Sequence, residues 1–281
     1  MNISKEENLM YSAMKAIYES GIPVSFKGSM VLKAYLIEAG YANDVRHTVD
    51  IDANWNTDYA PTEEQMRESL EKALASADID LNVKIYRKYD NGRSAGFELS
   101  DKSTDEILFT MDIDVNRPVL QTKIYEIADF QFRGVVPTQM IADKLSVIST
   151  DKIFRRIKDV IDLYYISNVF SIDINAIAKA LENSGRTLGN FDGFLNRTDD
   201  LKHSYEKFRF AGDVAKPPFE EVYNTVKSYI FGFLQKSNVS TKERDGSTFV
   251  DSFYSENNMD HLRRGIAALN AGKGTPHEPI E

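Results

Sequence analysis

The chain has no cysteine among its 281 residues. It can therefore form neither a disulfide nor a thiolate metal site, and any bound metal would need oxygen or imidazole ligands. A chain that does without disulfides suits a reducing compartment. We expect it in the cytoplasm.

Long apolar runs are also missing. No stretch reaches the roughly 18 consecutive apolar residues that a membrane-spanning helix needs. The first ten residues, MNISKEENLM, carry acidic side chains where a signal peptide would have a basic end and an apolar run. We therefore expect no membrane partner and no export.

Positive charge is in short supply. Lys and Arg number 34 against 43 Asp and Glu, which leaves a formal net charge of -9. This balance argues against a protein that coats nucleic acid along its length. A local basic patch that binds one RNA end remains compatible with it.

The length and the 42% apolar content are enough to bury a sizeable core, and they favour two domains. Helical and strand patterns are mixed over residues 1–135, whereas residues 136–270 carry helical patterns. The ending, residues 271–281, has the Gly, Pro and charge content of a flexible tail. We predict an α+β protein: an N-terminal domain with a mixed sheet and flanking helices, then a helical domain.

Individual elements follow from hydrophobic periodicity and turn residues. The helices predicted in the first half cover 4–19, 30–39 and 60–76. The predicted strands cover 22–26, 47–55, 81–89, 95–100 and 106–117, with a hairpin turn at Asn91-Gly92. The helices predicted in the second half cover 138–149, 152–168, 173–183, 198–210, 218–235 and 256–270.

A Lys-Gly-Ser tripeptide, residues 27–29, joins a predicted strand to a predicted helix. Glycine here lets backbone N–H groups approach an anion, and the helix dipole with the hydroxyl of Ser29 would attract a phosphate. The tripeptide could instead be a plain turn, with Ser29 as the helix N-cap. The residues alone leave both interpretations open.

Asp50 and Asp52 are spaced so that both lie on one face of a predicted strand, with Val49 and Ile51 expected in the core. Two carboxylates on one face repel each other unless a cation lies between them. The pair could hold one or two Mg²⁺ ions. The alternative is a solvated strand face without a metal.

A second acidic pair strengthens the metal interpretation. In FTMDIDVNRP, alternation places Asp112 and Asp114 together on the polar face of another strand. Three or four carboxylates could then meet across neighbouring strands. Divalent ions held in this way activate an attacking hydroxyl and neutralise phosphate charge during an in-line displacement.

These motifs resemble the DNA polymerase β superfamily of nucleotidyltransferases, and within it the AbiEii/AbiGii-type toxins of type IV toxin–antitoxin systems. FKGS is similar to the family's glycine motif, RHTVDID to its Arg-x-Ser/Thr-x-Asp-x-Asp motif, and MDIDVNR to its third carboxylate strand. MIADKLSVISTDKIFRRIKDVIDLYYI is similar to its downstream signature. The resemblance covers about residues 20–168. Ser29 stands where many members have glycine, and EAGYAND looks like an insertion.

The resemblance implies roles for particular residues. Metal-binding and catalytic roles fall to Asp50, Asp52 and Asp114, with Asp112 as the alternative third carboxylate. Nucleotide-binding roles fall to Lys27, Gly28, Ser29, Arg46, Lys144 and Asp159. From its context alone, Lys144 could equally be a surface lysine.

The resemblance also implies an activity. A toxin of this kind would use Mg²⁺ or Mn²⁺ to move a nucleoside monophosphate from an NTP such as ATP, GTP or CTP to an acceptor hydroxyl. The expected acceptor is an RNA 3′ end, that of tRNA in the first place, and the expected protein partner is an antitoxin encoded nearby. The alternatives are transfer to a small molecule or protein, and a catalytically silent member that only binds a nucleotide or partner.

Overall fold

The structure is a computed structural model. It describes residues 3–41, 46, 48–89, 94–150, 153–171, 173–210 and 215–244. The chain divides into two units, Met1–Ile230 and Phe231–Glu281. The sheet and the candidate site belong to the first unit.

A seven-stranded mixed sheet forms the centre of the first unit. Its strands are β1 (Val24–Lys27), β2 (Asp50–Trp55), β3 (Leu81–Arg87), β4 (Ser94–Asp101), β5 (Ile107–Asp114), β6 (Thr122–Ile127) and β7 (Phe130–Val135). Their order across the sheet is β3-β4-β5-β2-β1-β7-β6. The pairs β2–β5 and β1–β7 are parallel, and the other neighbours are antiparallel.

Helices account for most of the remaining described residues. They are α1 (Lys5–Glu19), α2 (Gly28–Glu38), α3 (Glu63–Ser76), α4 (Pro137–Ile148), α5 (Ile157–Ser167), α6 (Ile174–Asn183), α7 (Asp192–Asn196), α8 (Thr198–Lys207) and α9 (Phe219–Arg244), with one 3₁₀ turn at Ile153–Arg155. In the part of the chain that the structure describes, no helix is both long and apolar enough to cross a bilayer.

The two faces of the sheet differ as the alternation predicts. On β5, Met111 and Ile113 are fully buried, whereas Asp112 and Asp114 on the opposite face keep partial exposure. Burial of each large apolar side chain stabilises the fold by about 1.5–3 kcal/mol. The apolar face therefore belongs to the core, and the aspartates remain on an accessible face.

The predicted α+β class is confirmed: a mixed sheet with flanking helices is present, and most predicted elements lie within a few residues of the observed ones. The predicted domain boundary after residue 135 falls inside the first unit and stays a prediction. The predicted helix over 256–270, the tail and the turn at Asn91-Gly92 lie outside the described residues.

Some local predictions are wrong. Helix α2 begins at Gly28, so Ser29 is its second residue and not its N-cap. Val49 is 63% exposed rather than in the core, because β2 starts only at Asp50. The helix expected over 152–168 is interrupted at Arg156, and the β6–β7 hairpin was not foreseen.

Candidate active site

One row of residues crosses five strands on the polar face of the sheet. The register pairs Lys27 with Asp52, Asp52 with Asp112, Asp112 with Gly96, and Gly96 with Arg87. Facing residues in a ladder have side chains on the same side. Two aspartates thus lie at the middle of the row and a cation at each end.

The carboxyl of Asp52 has a perturbed pKa. Burial raises it most; Lys27 opposes that effect, while the negative charges of Asp50 and Asp112 add to it. The result is a pKa of about 6, well above the usual value of 3.8. Three carboxylates therefore interact closely enough to oppose ionisation of the central one.

The two candidates for the third carboxylate have different partners. Asp112 faces Asp52 in the ladder and accepts hydrogen bonds from Tyr86 Oη at 2.6 Å and Arg87 Nη2 at 2.8 Å. Asp114 faces Asn54 instead and accepts a hydrogen bond of 2.6 Å from the Lys27 ammonium. Asp112 is therefore the carboxylate aligned with Asp52.

Gly28 has two structural reasons to be glycine. Its φ of +71° lies in the left-handed region, which strains residues that carry a Cβ. A Cβ at this position would also lie 2.2 Å from Oδ2 of Asp52, which is a clash. The first turn of α2, with its free backbone N–H groups, therefore lies directly against a site carboxylate.

A buried ionic network connects the strand motif to the downstream helices. Arg46 donates two hydrogen bonds of 2.8 Å to Asp162, and the Lys144 ammonium lies 2.7 Å from Asp162 and 3.3 Å from Asp159. Asp162 is 1% exposed and Lys144 is 8% exposed. Lys144 is therefore a buried member of this network and not a surface lysine.

The ion pairs of the network shift the pKa values of Asp162 and Lys144. Burial raises the pKa of Asp162, but Arg46 and Lys144 outweigh this effect and lower it to about 2. Burial likewise lowers the pKa of Lys144, and its two aspartate partners more than reverse this, so the net shift is upward. Asp162 and Lys144 are therefore both charged at neutral pH.

A cavity of about 260 Å³ opens beside Asp52. Its polar lining includes several residues that were predicted as site residues from the sequence, and two arginines that were not. These residues are Lys27, Gly28, Asp52, Asp143, Lys144, Arg156, Asp159 and Arg186. Arg156 is exposed, and Arg186 binds Asp143 at 2.6 Å. The cavity therefore offers cationic groups next to the carboxylates.

A second cavity, of about 290 Å³, is lined in part by the same residues, Lys27, Asp143 and Arg186. Asn54 also lines it; this side chain is 3% exposed, and its Oδ1 has no hydrogen-bond partner. A buried amide oxygen without a partner is costly, so it would favour a ligand that donates a hydrogen bond.

The structure thus brings together most of the predicted site residues. Asp50, Asp52, Asp112 and Asp114 share the polar face, and Lys27, Gly28, Lys144 and Asp159 line one cavity. Ser29 is adjacent, in the first turn of α2, and Arg46 contacts Asp162. Among the described residues, no group of three or more Asp, Glu or His side chains is arranged to hold a metal ion.

Several contributors escaped the sequence analysis, among them Asp162, Arg186 and Tyr86. Asp162 was not among the predicted site residues, yet it is the buried centre of the ionic network. Its spacing of three from Asp159, which places both on one helix face, was the available signal. Arg186 and Tyr86 carried no signal, because only the tertiary fold brings them to the site.

A glycine turn at a helix start, facing aspartates on adjacent strands beside a cavity with cationic groups, is an arrangement typical of phosphate-binding enzymes such as nucleotidyltransferases. Comparison with known families shows which family of nucleotidyltransferases the chain belongs to. The chain belongs to the family described as "Nucleotidyl transferase AbiEii toxin, Type IV TA system", whose model matches residues 13–225. It is accordingly a nucleotidyltransferase toxin of the type IV toxin–antitoxin class.

One solved structure that resembles the chain is MenT4, a nucleotidyltransferase toxin from Mycobacterium tuberculosis H37Rv. The two share 14% sequence identity with a TM-score of 0.49, over 94% of this chain and 93% of the other. No curated protein matches the chain.

Proposed function

We propose that this toxin transfers a nucleoside monophosphate from an NTP to the 3′ hydroxyl of an RNA and releases pyrophosphate. The expected acceptor is tRNA, and the expected compartment is the cytoplasm. The observation that carries the proposal is the alignment of Asp52 with Asp112 across β2 and β5, beside Gly28 and a cationic cavity.

Mg²⁺ or Mn²⁺ fits the donor set of the site. Carboxylate oxygens are the ligands such ions prefer, and the pKa of Asp52 is raised first by burial and then by repulsion from Asp50 and Asp112. A cation would relieve that repulsion. We propose Asp50, Asp52 and Asp112 as its ligands, with Asp114 as the alternative, because Asp112 faces Asp52 across the two strands whereas Asp114 faces Asn54. When bound, the metal would activate the acceptor hydroxyl and neutralise phosphate charge.

The triphosphate fits the cavity of about 260 Å³. Backbone N–H groups at the start of α2 and the side chains of Lys27, Arg156 and Arg186 all border it. Arginine binds phosphate through two parallel hydrogen bonds, which fixes orientation as well as charge. These groups would hold the departing pyrophosphate.

For Lys144 and Asp159 we propose a structural role in place of the nucleotide-binding role that the resemblance implies. The Lys144 ammonium is engaged by two aspartates, so we propose that it positions the cavity wall and stabilises its charge. Arg46 acts in the same way through Asp162. These residues support the nucleotide site rather than bind phosphate directly.

The nucleoside part of the donor fits the adjacent cavity of about 290 Å³, where the unpartnered Oδ1 of Asn54 would accept a hydrogen bond from a base or ribose. Replacing Asn54 by leucine should then change the preference among ATP, GTP and CTP. A preference identical to that of the unmodified chain would contradict this placement.

The alternatives differ in the acceptor or in the chemistry. Transfer to a small molecule or protein would use the same donor site. A silent binding member is disfavoured, because the carboxylate row and its neighbouring cations are all in place. The antitoxin partner follows from the family and is expected in a neighbouring reading frame.

The test is incubation of the purified chain with each labelled NTP, Mg²⁺ and total RNA, followed by electrophoresis of the RNA. Label in RNA from the unmodified chain but not from Asp52→Asn supports the proposal. Label in protein or in a small molecule would identify another acceptor. No labelled product with any NTP would favour the silent alternative.

A further inference from the structure

The row of residues across the sheet has two unlike ends. Strands in a sheet lie about 4.8 Å apart, so the row from Lys27 to Arg87 is roughly 19 Å long. At the β1 end, Lys27 and Gly28 border the cavity proposed for the triphosphate. At the β3 end, an exposed aromatic ring and a guanidinium stand over Asp112.

A β-bulge creates this second end. The register of β3 against β4 shifts between Ile85 and Arg87, and Tyr86 and Arg87 both bind the carboxylate of Asp112. Bulges redirect side chains in this way beside functional sites. The ring of Tyr86 lies over Gly96, where a Cβ would come within 2.5 Å of Tyr86 Cζ. Glycine is therefore needed for the ring to occupy this place.

The ring remains available to a ligand. Tyr86 is 44% exposed although its hydroxyl is bound, and the Arg87 guanidinium lies 5.5 Å from the ring centre. Lys84 and Lys88, on and next to the same strand, are also exposed. An exposed aromatic ring among cations is the usual means of holding a single-stranded nucleic acid.

The reaction geometry requires a site at this end. In an in-line displacement the attacking oxygen and the leaving oxygen lie on opposite sides of the phosphorus. If pyrophosphate departs toward Gly28 and Arg156, the acceptor hydroxyl has to approach from beyond Asp52, on the side of Asp112. Tyr86 and Arg87 are the groups that the structure provides there.

We propose that Tyr86 and Arg87 form the acceptor subsite for a single-stranded RNA 3′ end, with the terminal base stacked on the Tyr86 ring and a backbone phosphate bound by Arg87. The proposal rests on the proposed function. In the reaction, a bond forms between the 3′ oxygen and the α-phosphorus, the bond to pyrophosphate breaks, and the hydroxyl proton passes to a carboxylate of the row.

Positioning of Asp112 is the competing explanation for the same contacts. The variants Tyr86→Phe and Tyr86→Ala separate the two roles. Phenylalanine keeps a stacking surface but cannot donate to Asp112, whereas alanine loses both. Stacking on one base is worth enough to change RNA affinity roughly 5- to 100-fold.

The test measures KM for an RNA oligonucleotide with a free 3′ hydroxyl, and separately the Kd of a fluorescent NTP with Mg²⁺. Both are measured on the full chain and on Tyr86→Ala, Tyr86→Phe and Arg87→Ala. Tyr59→Ala, a tyrosine 89% exposed, and Arg133→Ala, an exposed arginine on β7, are matched controls. Thermal melting monitors folding of each variant.

We expect Tyr86→Ala and Arg87→Ala to raise the KM for RNA by about 10-fold or more, with the Kd for NTP within twofold of the unmodified chain. For Tyr86→Phe and for the two control variants, the KM for RNA should stay near that of the unmodified chain. An unchanged KM for RNA, or Tyr86→Phe as impaired as Tyr86→Ala, would overturn the acceptor subsite while leaving the nucleotidyltransferase proposal intact. Absence of RNA transfer by the unmodified chain would overturn both.

Discussion

Arg46 and Asp162 lie 116 positions apart and are joined by two hydrogen bonds of 2.8 Å. The pair ties the segment that leads into β2 to α5 in the helical half of the first unit. Lys144 completes the network from α4. The strand that carries Asp50 and Asp52 and the wall of the cavity beside Asp52 are therefore held together by one buried carboxylate.

The first prediction concerns Asp162→Asn. The folded pKa of about 2 lies below the usual value of 3.8, so the ionised carboxylate stabilises the fold above about pH 4, and this stability is lost as the pH falls toward 2. The shift corresponds to about 2 kcal/mol. The variant should lose about that much or more at pH 7, because Arg46 and Lys144 keep buried charges without their partner.

Urea unfolding at a series of pH values measures this effect. The difference between the unmodified chain and Asp162→Asn should shrink as the pH is lowered from 4 to 2. A difference that is constant over this range would contradict a carboxylate with a depressed pKa.

The second prediction concerns Lys144. Lys144→Ala should lower the melting temperature and the transfer rate together, because it removes the ammonium that pairs with Asp159 and leaves the buried Asp162 with Arg46 as its remaining cation. Lys179→Ala, in α6, removes an exposed lysine and serves as the control. A variant with unchanged melting but slower transfer would instead make Lys144 a direct phosphate ligand, as the family resemblance implies.

The third prediction uses two glycines with the same backbone conformation. Gly28 and Gly40 have φ of +71° and +74°, but an added Cβ meets Asp52 only at Gly28 and nothing within 4 Å at Gly40. Both alanine variants should lose roughly 1–2 kcal/mol of stability. Only Gly28→Ala should also lose transfer, on the order of 100-fold, because it displaces Asp52, the carboxylate that we propose to be catalytic. Equal transfer by both would contradict the contact with Asp52.

The fourth prediction distinguishes the third carboxylate. Asp112→Asn should reduce transfer and weaken Mn²⁺ binding, measured by paramagnetic resonance, because Asp112 is the aspartate that faces Asp52. Asp114→Asn should affect NTP affinity more than Mn²⁺ binding, because it frees Lys27. The reverse pattern would indicate that Asp114, and not Asp112, is the third metal ligand.

Local periodicity was sufficient to predict β1 to β5 and the acidic faces of β2 and β5, but not β6 and β7. Met111 and Ile113 alternate with Asp112 and Asp114 within one strand, and burial follows from that alternation. The exact start of α2 was not predictable in this way. Gly28 has to leave room for Asp52, which is a contact between the start of α2 and strand β2 and not a property of its neighbours in sequence.

Long-range relationships were beyond the sequence. Nothing in the context of Arg46 indicates a partner in α5, and the β-bulge at Tyr86 depends on pairing with Gly96. The motifs that resemble the family in the sequence cover about residues 20–168, whereas the family model matches residues 13–225. Helical segments after residue 170 carry hydrophobic periodicity but no motif with a chemical meaning.

The most direct test of the account measures pyrophosphate release and RNA extension together, with the unmodified chain and Asp52→Asn compared in the presence of Mg²⁺, NTP and RNA. The account predicts one pyrophosphate for each nucleotide added by the unmodified chain, and neither product from a folded Asp52→Asn variant. Undiminished transfer by that variant, or pyrophosphate release without nucleotide addition to any acceptor, would contradict it.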